Sequence, residues 1–170
     1  LPVCEPTVFF GHSLGATIAF ETTRRLADSR WQPSHLIVSG RKSPRLPRRK
    51  WSIADLPDDK FMEELRVLNC TPREILEHDE LMRLVMPRLR ADFALADRYR
   101  YAGGEPLTCP VTVYVGSDDP FVSEEEAGLW AEETCGFTRK RVFAGDHFFV
   151  ASALEEVIDD IRQTISQIAI

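Results

Sequence analysis

The sequence of 170 residues predicts an α/β protein, in which a mostly parallel sheet carries helices on both faces and a helical insertion interrupts the core. Short β-rich segments alternate with amphipathic segments of helical period, and parallel strands need such crossover helices. One long stretch without a strand signal separates the second strand from the third. Hydrophobic residues make up 44% of the chain, which is enough for one buried core.

Four strands are predicted, each ending in or near a glycine or an apolar turn: TVFF (7–10), HLIVSG (35–40), VTVYVG (111–116) and RKRVFAG (139–145). A helix is predicted over 14–29, directly after the first strand. Ser123 with Glu126 forms a capping-box pattern for a helix near 124–134, and Ser152 with Glu155 predicts the start of the last helix. That last helix aligns apolar residues along one predicted buried face: Leu154, Ile158, Ile161, Ile165 and Ile168.

The alternation divides the chain into two parts. Residues 1–40 and 106–170 form the predicted core, and residues 41–105 form a helical insertion that we expect to act as a lid above the sheet. Such a long excursion from a compact unit is more often functional than incidental.

Charge and composition exclude several classes of protein. The net charge is −6, yet RKSPRLPRRK (41–50) holds six basic residues and no acidic one, so the rest of the chain has 15 basic and 27 acidic residues. This segment is either a docking surface for an anionic partner or a solvated loop, and the acidic remainder disfavours nucleic acid.

No apolar run is long enough for a membrane span or a secretory signal, and the four scattered cysteines form no CxxC pair. A cytoplasmic protein is expected.

The pentapeptide GHSLG (11–15) is a weak signal alone, but here it follows a strand and begins a helix. That context is typical of the nucleophile elbow of the α/β-hydrolase fold, in which Ser13 adopts strained backbone angles. Gly11 and Gly15 are expected at positions where a side chain would crowd the packing of strand against helix. The amide of Leu14, at a helix N-terminus, is the predicted donor to an oxyanion.

A serine nucleophile needs a base and an acid that orients the base, in the chain order serine, acid, histidine. Of the four histidines, His147 follows the last strand and is the predicted base, whereas His35 and His78 are expected at the surface. His12 should point away from the serine. The acid is expected in GSDDP, where we favour Asp119 and keep Asp118 as the alternative; Asp146 is expected to face solvent.

Several motifs in register carry a family resemblance over nearly the whole chain: VFFGHSLGATIAFE, HLIVSGRKSP, LPDDKFMEELRVL, ELMRLVMPRLRADF, GSDDPFV and FAGDHFFV. They resemble the type II thioesterases of nonribosomal peptide and polyketide synthase pathways. The resemblance implies Ser13 as nucleophile, Asp119 as acid and His147 as base, in agreement with the assignment above. It also implies acyl or peptidyl carrier protein domains as partners, whose phosphopantetheine arm bears the acyl group as a thioester.

The chain departs from this family in two places. The resemblance implies strands ahead of residue 7 and an earlier loop that gives a second oxyanion amide. We expect either that this sequence is the C-terminal part of a longer polypeptide or that another segment supplies these strands. Asn69 and Cys70 stand where the family more often has glycine, which would alter the lid but not the triad.

Hydrolysis through an acyl-serine needs neither a metal nor a cofactor. Four apolar residues of the insertion are candidates to shelter the acyl chain, with packing inside the lid as the equal alternative: Leu65, Leu68, Leu89 and Phe93. The same triad suits a carboxylesterase or lipase, and a hydrolase-like module that only binds carriers is the alternative outside enzymes.

Overall fold

A computed structural model describes residues 5–47, 52–68, 71 and 73–168. The strands are β1 (Val8–His12), β2 (His35–Ser39), β3 (Val111–Gly116) and β4 (Thr138–Phe143). The helices are α1 (Leu14–Arg25), α2 (Asp58–Val67), α3 (Arg73–Leu76), α4 (Asp79–Arg98), α5 (Glu124–Gly128), α6 (Phe149–Ser152) and α7 (Leu154–Ile168), with 3₁₀ turns at Ile53–Asp55 and Leu129–Glu133.

The strands within the described residues form one parallel sheet in the order β1-β2-β3-β4. In the register of this sheet His12 lies beside Ser39, and Ser39 lies beside Tyr114. The carboxyl ends of the strands therefore meet at one edge of the sheet, which is where parallel α/β proteins place their functional loops. The predicted α/β class and parallel sheet are confirmed.

Helices cover both faces of the sheet. A Cβ at Gly11 would lie 2.2 Å from the carbonyl oxygen of Gly15, so α1 packs on the face to which Gly11 points. Successive strand residues point to opposite faces, so Phe10 and His12 belong to the other face. There a cluster of buried residues joins the sheet to α6 and α7: Ile37, Tyr114, Phe143, Phe149, Ala153 and Val157.

The last helix buries a different stripe from the predicted one. Val157, Asp160 and Thr164 are its buried residues, whereas Leu154, Ile158 and Ile165 are exposed and Ile161 is half-buried. The Asp160 carboxylate accepts a hydrogen bond of 2.6 Å from the Tyr114 hydroxyl and pairs with Arg139 and Arg141 of β4. The two cationic partners and the hydroxyl donor compensate for the burial of this carboxylate, whose hydrogen bonds within the described residues all go to Oδ2, and so a polar stripe can face the core here.

The two predicted capping boxes have different outcomes. Ser123 accepts from the Glu126 amide, and the Glu126 carboxylate accepts from the Ser123 amide, so this box is confirmed. The box at Ser152 is wrong, because Ser152 is the last residue of α6 and α7 begins only at Leu154.

The chain divides into two compact units, residues 1–46 with 102–170 and residues 47–101, where the sequence predicted a helical insertion over 41–105. In the helical unit, the Asp97 carboxylate accepts from Ser52 Oγ at 2.8 Å and from the Ile53 amide at 3.2 Å. Arg90 donates to the Ala54 carbonyl at 2.6 Å. These bonds tie the 3₁₀ turn to α4. Asn69 and Cys70 lie outside the described residues.

None of the helices in the described ranges has both the length and the apolar character that a membrane crossing requires.

Candidate active site

Ser13 occupies the turn between β1 and α1. Its backbone has φ 53° and ψ −115°, a left-handed region that non-glycine residues seldom adopt. The Ser13 amide donates to the Ser39 carbonyl at 2.8 Å, so the end of β2 holds the turn in place. Such strain at a serine is costly and persists only where the surrounding structure imposes it. The predicted strained elbow conformation is therefore present.

The two glycines of GHSLG have different roles. A Cβ at Gly11 would meet the backbone of Gly15 and Ala16 at 2.2 to 2.7 Å, so only glycine fits where strand and helix cross. A Cβ at Gly15 would meet no atom within 4 Å. The expectation of crowding is confirmed at Gly11 and wrong at Gly15, because the side-chain direction at position 15 leads into open space.

Asp119 and His147 are brought together from the loops that follow β3 and β4. The His147 Nδ1 atom lies 2.9 Å from Asp119 Oδ2, and both side chains are almost completely buried. The other carboxylate oxygen, Oδ1, accepts a hydrogen bond of 2.8 Å from the Phe121 amide. Two donors thus fix the orientation of the carboxylate, and the carboxylate fixes one nitrogen of the imidazole.

The remaining acidic residues near this pair do not compete with Asp119. Asp118 is exposed, accepts from the Ser117 hydroxyl at 2.7 Å and donates its own amide to the Gly145 carbonyl. Asp146 is half-buried rather than fully exposed, and its carboxylate accepts a hydrogen bond of 2.8 Å from the Phe148 amide. Between the two aspartates of GSDDP, the structure places Asp119 against the imidazole.

The loops that carry the acid and the histidine pack closely at their bases. A Cβ at Gly116, the last residue of β3, would lie 2.4 Å from the Asp146 carbonyl oxygen and 2.6 Å from that of Gly145. The Ser117 amide also donates to the Phe143 carbonyl at 2.8 Å. This close approach, which requires glycine at position 116, keeps Asp119 within reach of His147.

His12 lies beside His147, with ring centroids 4.8 Å apart. Burial, and then the neighbouring His147, lowers the pKa of His12 to about 4, although the Asp119 carboxylate opposes this shift. His12 is therefore neutral near pH 7 and adds no positive charge beside the His147 ring. The sequence placed His12 in the elbow but predicted no relation between it and His147.

The other two histidines lie far from this cluster in the sequence and differ from each other. His35 is buried and bonds Thr112 Oγ1 at 2.8 Å, so its predicted surface position is wrong. Burial and the nearby Arg139 guanidinium lower the pKa of His35. His78 is exposed, as expected, and caps the first turn of α4.

The predicted nucleophile, Ser13, has fewer side-chain contacts that define its position than the predicted acid and base have. Ser13 directly follows β1, at the same edge of the sheet from which the Asp119 and His147 loops emerge, but its hydroxyl makes no hydrogen bond within the described residues. The bond from Ser13 to His147 stays a prediction. Leu14 is the first residue of α1, and the first amides of a helix have no partner inside the helix. Its role at an oxyanion is also still a prediction.

The four apolar candidates for substrate contact lie in the helical unit. Leu65 and Leu68 are buried, and Leu89 and Phe93 are half-buried. The Phe93 ring meets Phe61 edge to face, with centroids 5.8 Å apart. Burial of Leu65 and Leu68 favours packing over substrate contact for these two, and the acyl-binding role of all four stays a prediction.

The family model of the thioesterase domain matches residues 3–165 of the chain. The gramicidin S biosynthesis protein GrsT of Aneurinibacillus migulanus is 41% identical over 155 residues, which are 91% of this chain and 60% of that protein. The chain thus spans less than two thirds of the length of this relative.

Solved structures agree with this similarity. The type II thioesterase BorB from the borrelidin biosynthetic cluster superimposes with a TM-score of 0.85 at 35% identity, covering 95% of this chain and 66% of its own. ClbQ from the colibactin NRPS/PKS pathway gives a TM-score of 0.87 at 34% identity, covering 96% of this chain and 70% of its own.

Proposed function

The chain belongs to the thioesterase domain family, and on that premise we propose that it hydrolyses acyl thioesters held on the phosphopantetheine arm of carrier proteins. The observation that carries the proposal is the buried Asp119–His147 pair, at the edge of the sheet where the strained Ser13 follows β1. Its relatives support the proposal: GrsT is a gramicidin S biosynthesis protein, BorB is a type II thioesterase from the borrelidin biosynthetic cluster, and ClbQ comes from the colibactin NRPS/PKS pathway.

The proposed reaction proceeds through an acyl-serine in two steps. His147 Nε2 takes the Ser13 hydroxyl proton while Oγ attacks the thioester carbonyl, and the Leu14 amide donates to the oxyanion. Collapse of the tetrahedral intermediate breaks the C–S bond, and the thiol leaves with the proton from His147. Water then attacks the acyl-serine with His147 again as base, which releases the acid and restores Ser13. Asp119 holds the Nδ1 proton throughout.

Carrier domains as partners form the second part of the proposal, with residues 41–50 as the docking segment. Two of its basic side chains already have acidic partners: Lys42 pairs with Glu126 at 3.3 Å, and Arg45 Nε lies 2.8 Å from the buried Glu133. Docking would then depend on Arg48, Arg49 and Lys50, which lie outside the described residues.

Replacing Arg48, Arg49 and Lys50 with alanine tests this docking segment. We expect a lower kcat/KM for carrier-bound acyl thioester, by about tenfold, and little change for a small soluble thioester, because charges at a docking rim act mainly on encounter. Arg162→Ala, an exposed arginine on α7, is the control. Equal losses on both substrates would contradict docking.

The last part of the proposal concerns the open edge of the sheet. Within the described residues β1 pairs with β2 alone, and the Phe10 side chain is exposed. An unpaired edge beside an apolar surface favours pairing with a further strand. We propose that a strand from outside this chain pairs with β1 and that an adjacent loop gives the second oxyanion amide. Rapid hydrogen exchange of the β1 amides in the complete protein would contradict this pairing.

Intact mass spectrometry with an acyl-loaded carrier tests the central proposal. We expect a transient acyl adduct on the wild-type protein and none on Ser13→Ala, whose turnover should fall by about 10⁴-fold or more. Ser166→Ala, an exposed serine of α7, serves as the matched control. Absence of both turnover and an adduct in the wild-type protein would indicate a module that only binds carriers, and unchanged turnover in Ser13→Ala would exclude Ser13 as the nucleophile. Matched oxoester and thioester substrates separate the classes, and a strong preference for oxoesters would indicate a carboxylesterase.

A further inference from the structure

The imidazole of His12 is enclosed by aromatic rings and by the end of β2. Its centroid lies 4.8 Å from that of His147, and Phe149 meets it edge to face at 5.8 Å. A hydrogen bond of 3.0 Å joins His12 Nδ1 and Ser39 Oγ, so the ring has one fixed rotation. The surroundings therefore hold His12 in one orientation against the ring of the proposed base.

Gly40, directly after β2, makes room for both imidazoles. Its φ of +57° already favours glycine, and a Cβ there would lie 2.6 Å from His12 Cε1 and 3.1 Å from His147 Cε1. The same position thus borders the two rings at once. A side chain at position 40 would have to displace His12, His147 or both, since a Cβ contact under 3.0 Å essentially never occurs in real structures.

We propose that His12 is a positioning residue for His147: its ring, oriented by Ser39 and given space by Gly40, supports the imidazole of the base beside the elbow. Phe121 lies 4.8 Å from His147, and so the base has an aromatic neighbour besides His12. Asp119 fixes the Nδ1 atom of His147, but one hydrogen bond leaves the ring free to tilt about it. The contact with His12 restricts that tilt.

Ordinary burial of a histidine would not account for this arrangement. His12 Nε2 is buried and makes no hydrogen bond of regular geometry in the described ranges, and the His147 backbone is only a weak hydrogen-bonding neighbour of this ring, so its burial has a cost that a phenyl ring would avoid. The Ser39 bond is what a phenyl ring could not make, and that bond determines which edge of the ring approaches Gly40 and His147. This inference rests on the proposed role of His147 as base.

Three variants of the full-length protein test the inference. His12→Ala removes the ring, His12→Phe keeps a ring of similar size without the Ser39 bond, and Gly40→Ala intrudes on both imidazoles. His35→Ala is the matched control, because His35 is also a buried histidine with one hydroxyl partner but lies at the start of β2.

The first measurement is independent of activity: ¹⁵N chemical shifts of the His147 ring nitrogens at pH 7. We expect one tautomer with the proton on Nδ1 in the wild-type protein and in His35→Ala, and averaged tautomers in His12→Ala and Gly40→Ala. Wild-type His147 shifts in a folded His12→Ala would overturn the inference. If His12→Ala does not fold, unchanged His147 shifts in Gly40→Ala overturn it equally.

The second measurement is steady-state kinetics together with the rate of Ser13 labelling by a fluorophosphonate. We expect His12→Ala to lower both kcat and labelling by about 10- to 100-fold with KM changed less than about threefold, because misplacement of a catalytic group by 1 Å costs about that much. His12→Phe should regain only part of the loss, because it restores a ring of similar size but not the bond to Ser39. Equal kcat in the wild-type protein, His12→Ala, His12→Phe and Gly40→Ala contradicts the inference. If the variants shift the His147 signals but the wild-type protein has no thioesterase activity, the proposed function alone is contradicted.

Discussion

The sheet unit and the helical unit differ in what their polar contacts accomplish. At the carboxyl edge of the sheet, hydrogen bonds orient side chains of the proposed catalytic site: Asp119 bonds His147, and Ser39 bonds His12. In the helical unit, Asp97 and Arg90 bond the backbone of a neighbouring turn and so determine only its local fold. A residue that follows a strand of the parallel sheet has a position set by the end of that strand. An apolar residue on a helix can instead contact a ligand or pack against a neighbouring helix, and the helix itself does not distinguish the two.

The largest expected effect tests the sheet side of this comparison. Asp119→Asn should lower kcat by about 10³- to 10⁴-fold, because the amide no longer holds the imidazole in the tautomer that accepts the serine proton. Asp118→Asn should change kcat by less than about twofold, since Asp118 is exposed and its carboxylate accepts a hydrogen bond from the adjacent Ser117 hydroxyl rather than from His147. Steady-state kinetics on one acyl thioester measures both. A larger loss in Asp118→Asn would reverse the assignment of the acid.

The two glycines of the elbow give the next effect. Gly11→Ala should lower the free energy of unfolding by about 4 kcal/mol or prevent folding, because its Cβ would meet rigid backbone at 2.2 Å. Gly15→Ala should raise it by about 0.5 to 1 kcal/mol, since position 15 is helical and its Cβ would meet nothing. Urea unfolding measures both. Similar destabilisation in the two variants would contradict the different roles assigned to these glycines.

A pair of leucines tests the helical side. Leu65→Ala should cost about 3 kcal/mol of unfolding free energy, because Leu65 is fully buried and its truncation leaves a cavity. Leu84→Ala should change stability by no more than about 0.5 kcal/mol, because 76% of Leu84 is exposed. Denaturant unfolding and KM for a medium-chain acyl thioester are measured together. A raised KM in Leu65→Ala at unchanged stability would restore Leu65 as a substrate contact.

The smallest effect concerns pH. The pKa of His12 is about 4 in the folded protein and near 6.5 in the unfolded chain, so the unfolded chain binds the proton first as pH falls. Stability contributed by neutral His12 is therefore complete above pH 6.5 and is lost between pH 6.5 and 4, by about 2 kcal/mol at pH 4.5. His147 and Asp119 are the titratable groups that face it.

His12→Phe removes this titration, so its unfolding free energy should fall less than that of the wild-type protein between pH 7 and 4.5. Equal pH dependence in both proteins would show that His12 contributes nothing to it. Chemical unfolding at the two pH values gives the comparison.

Sequence patterns predicted the strands, the capping box at Ser123 and the choice of Asp119, because each depends on local backbone chemistry and chain order. The sequence patterns failed where a residue distant in the chain determines whether a polar side chain can be buried. A hydrogen bond with Thr112 compensates for the burial of the His35 ring, and ion pairs with two arginines of β4 compensate for the burial of Asp160. Apolar periodicity in α7 marked a real stripe of leucine and isoleucine, but it could not show which side of the helix meets the sheet.

Ser39 and Gly40 carry no reactive group, yet the elbow amide, the His12 ring and the space beside His147 all depend on them. A saturation survey of single substitutions should therefore record these two positions as almost as intolerant as the proposed triad of Ser13, Asp119 and His147. Transplanting GHSLG, Asp119 and His147 onto another parallel sheet would give an inactive graft unless the end of the neighbouring strand were carried across with them.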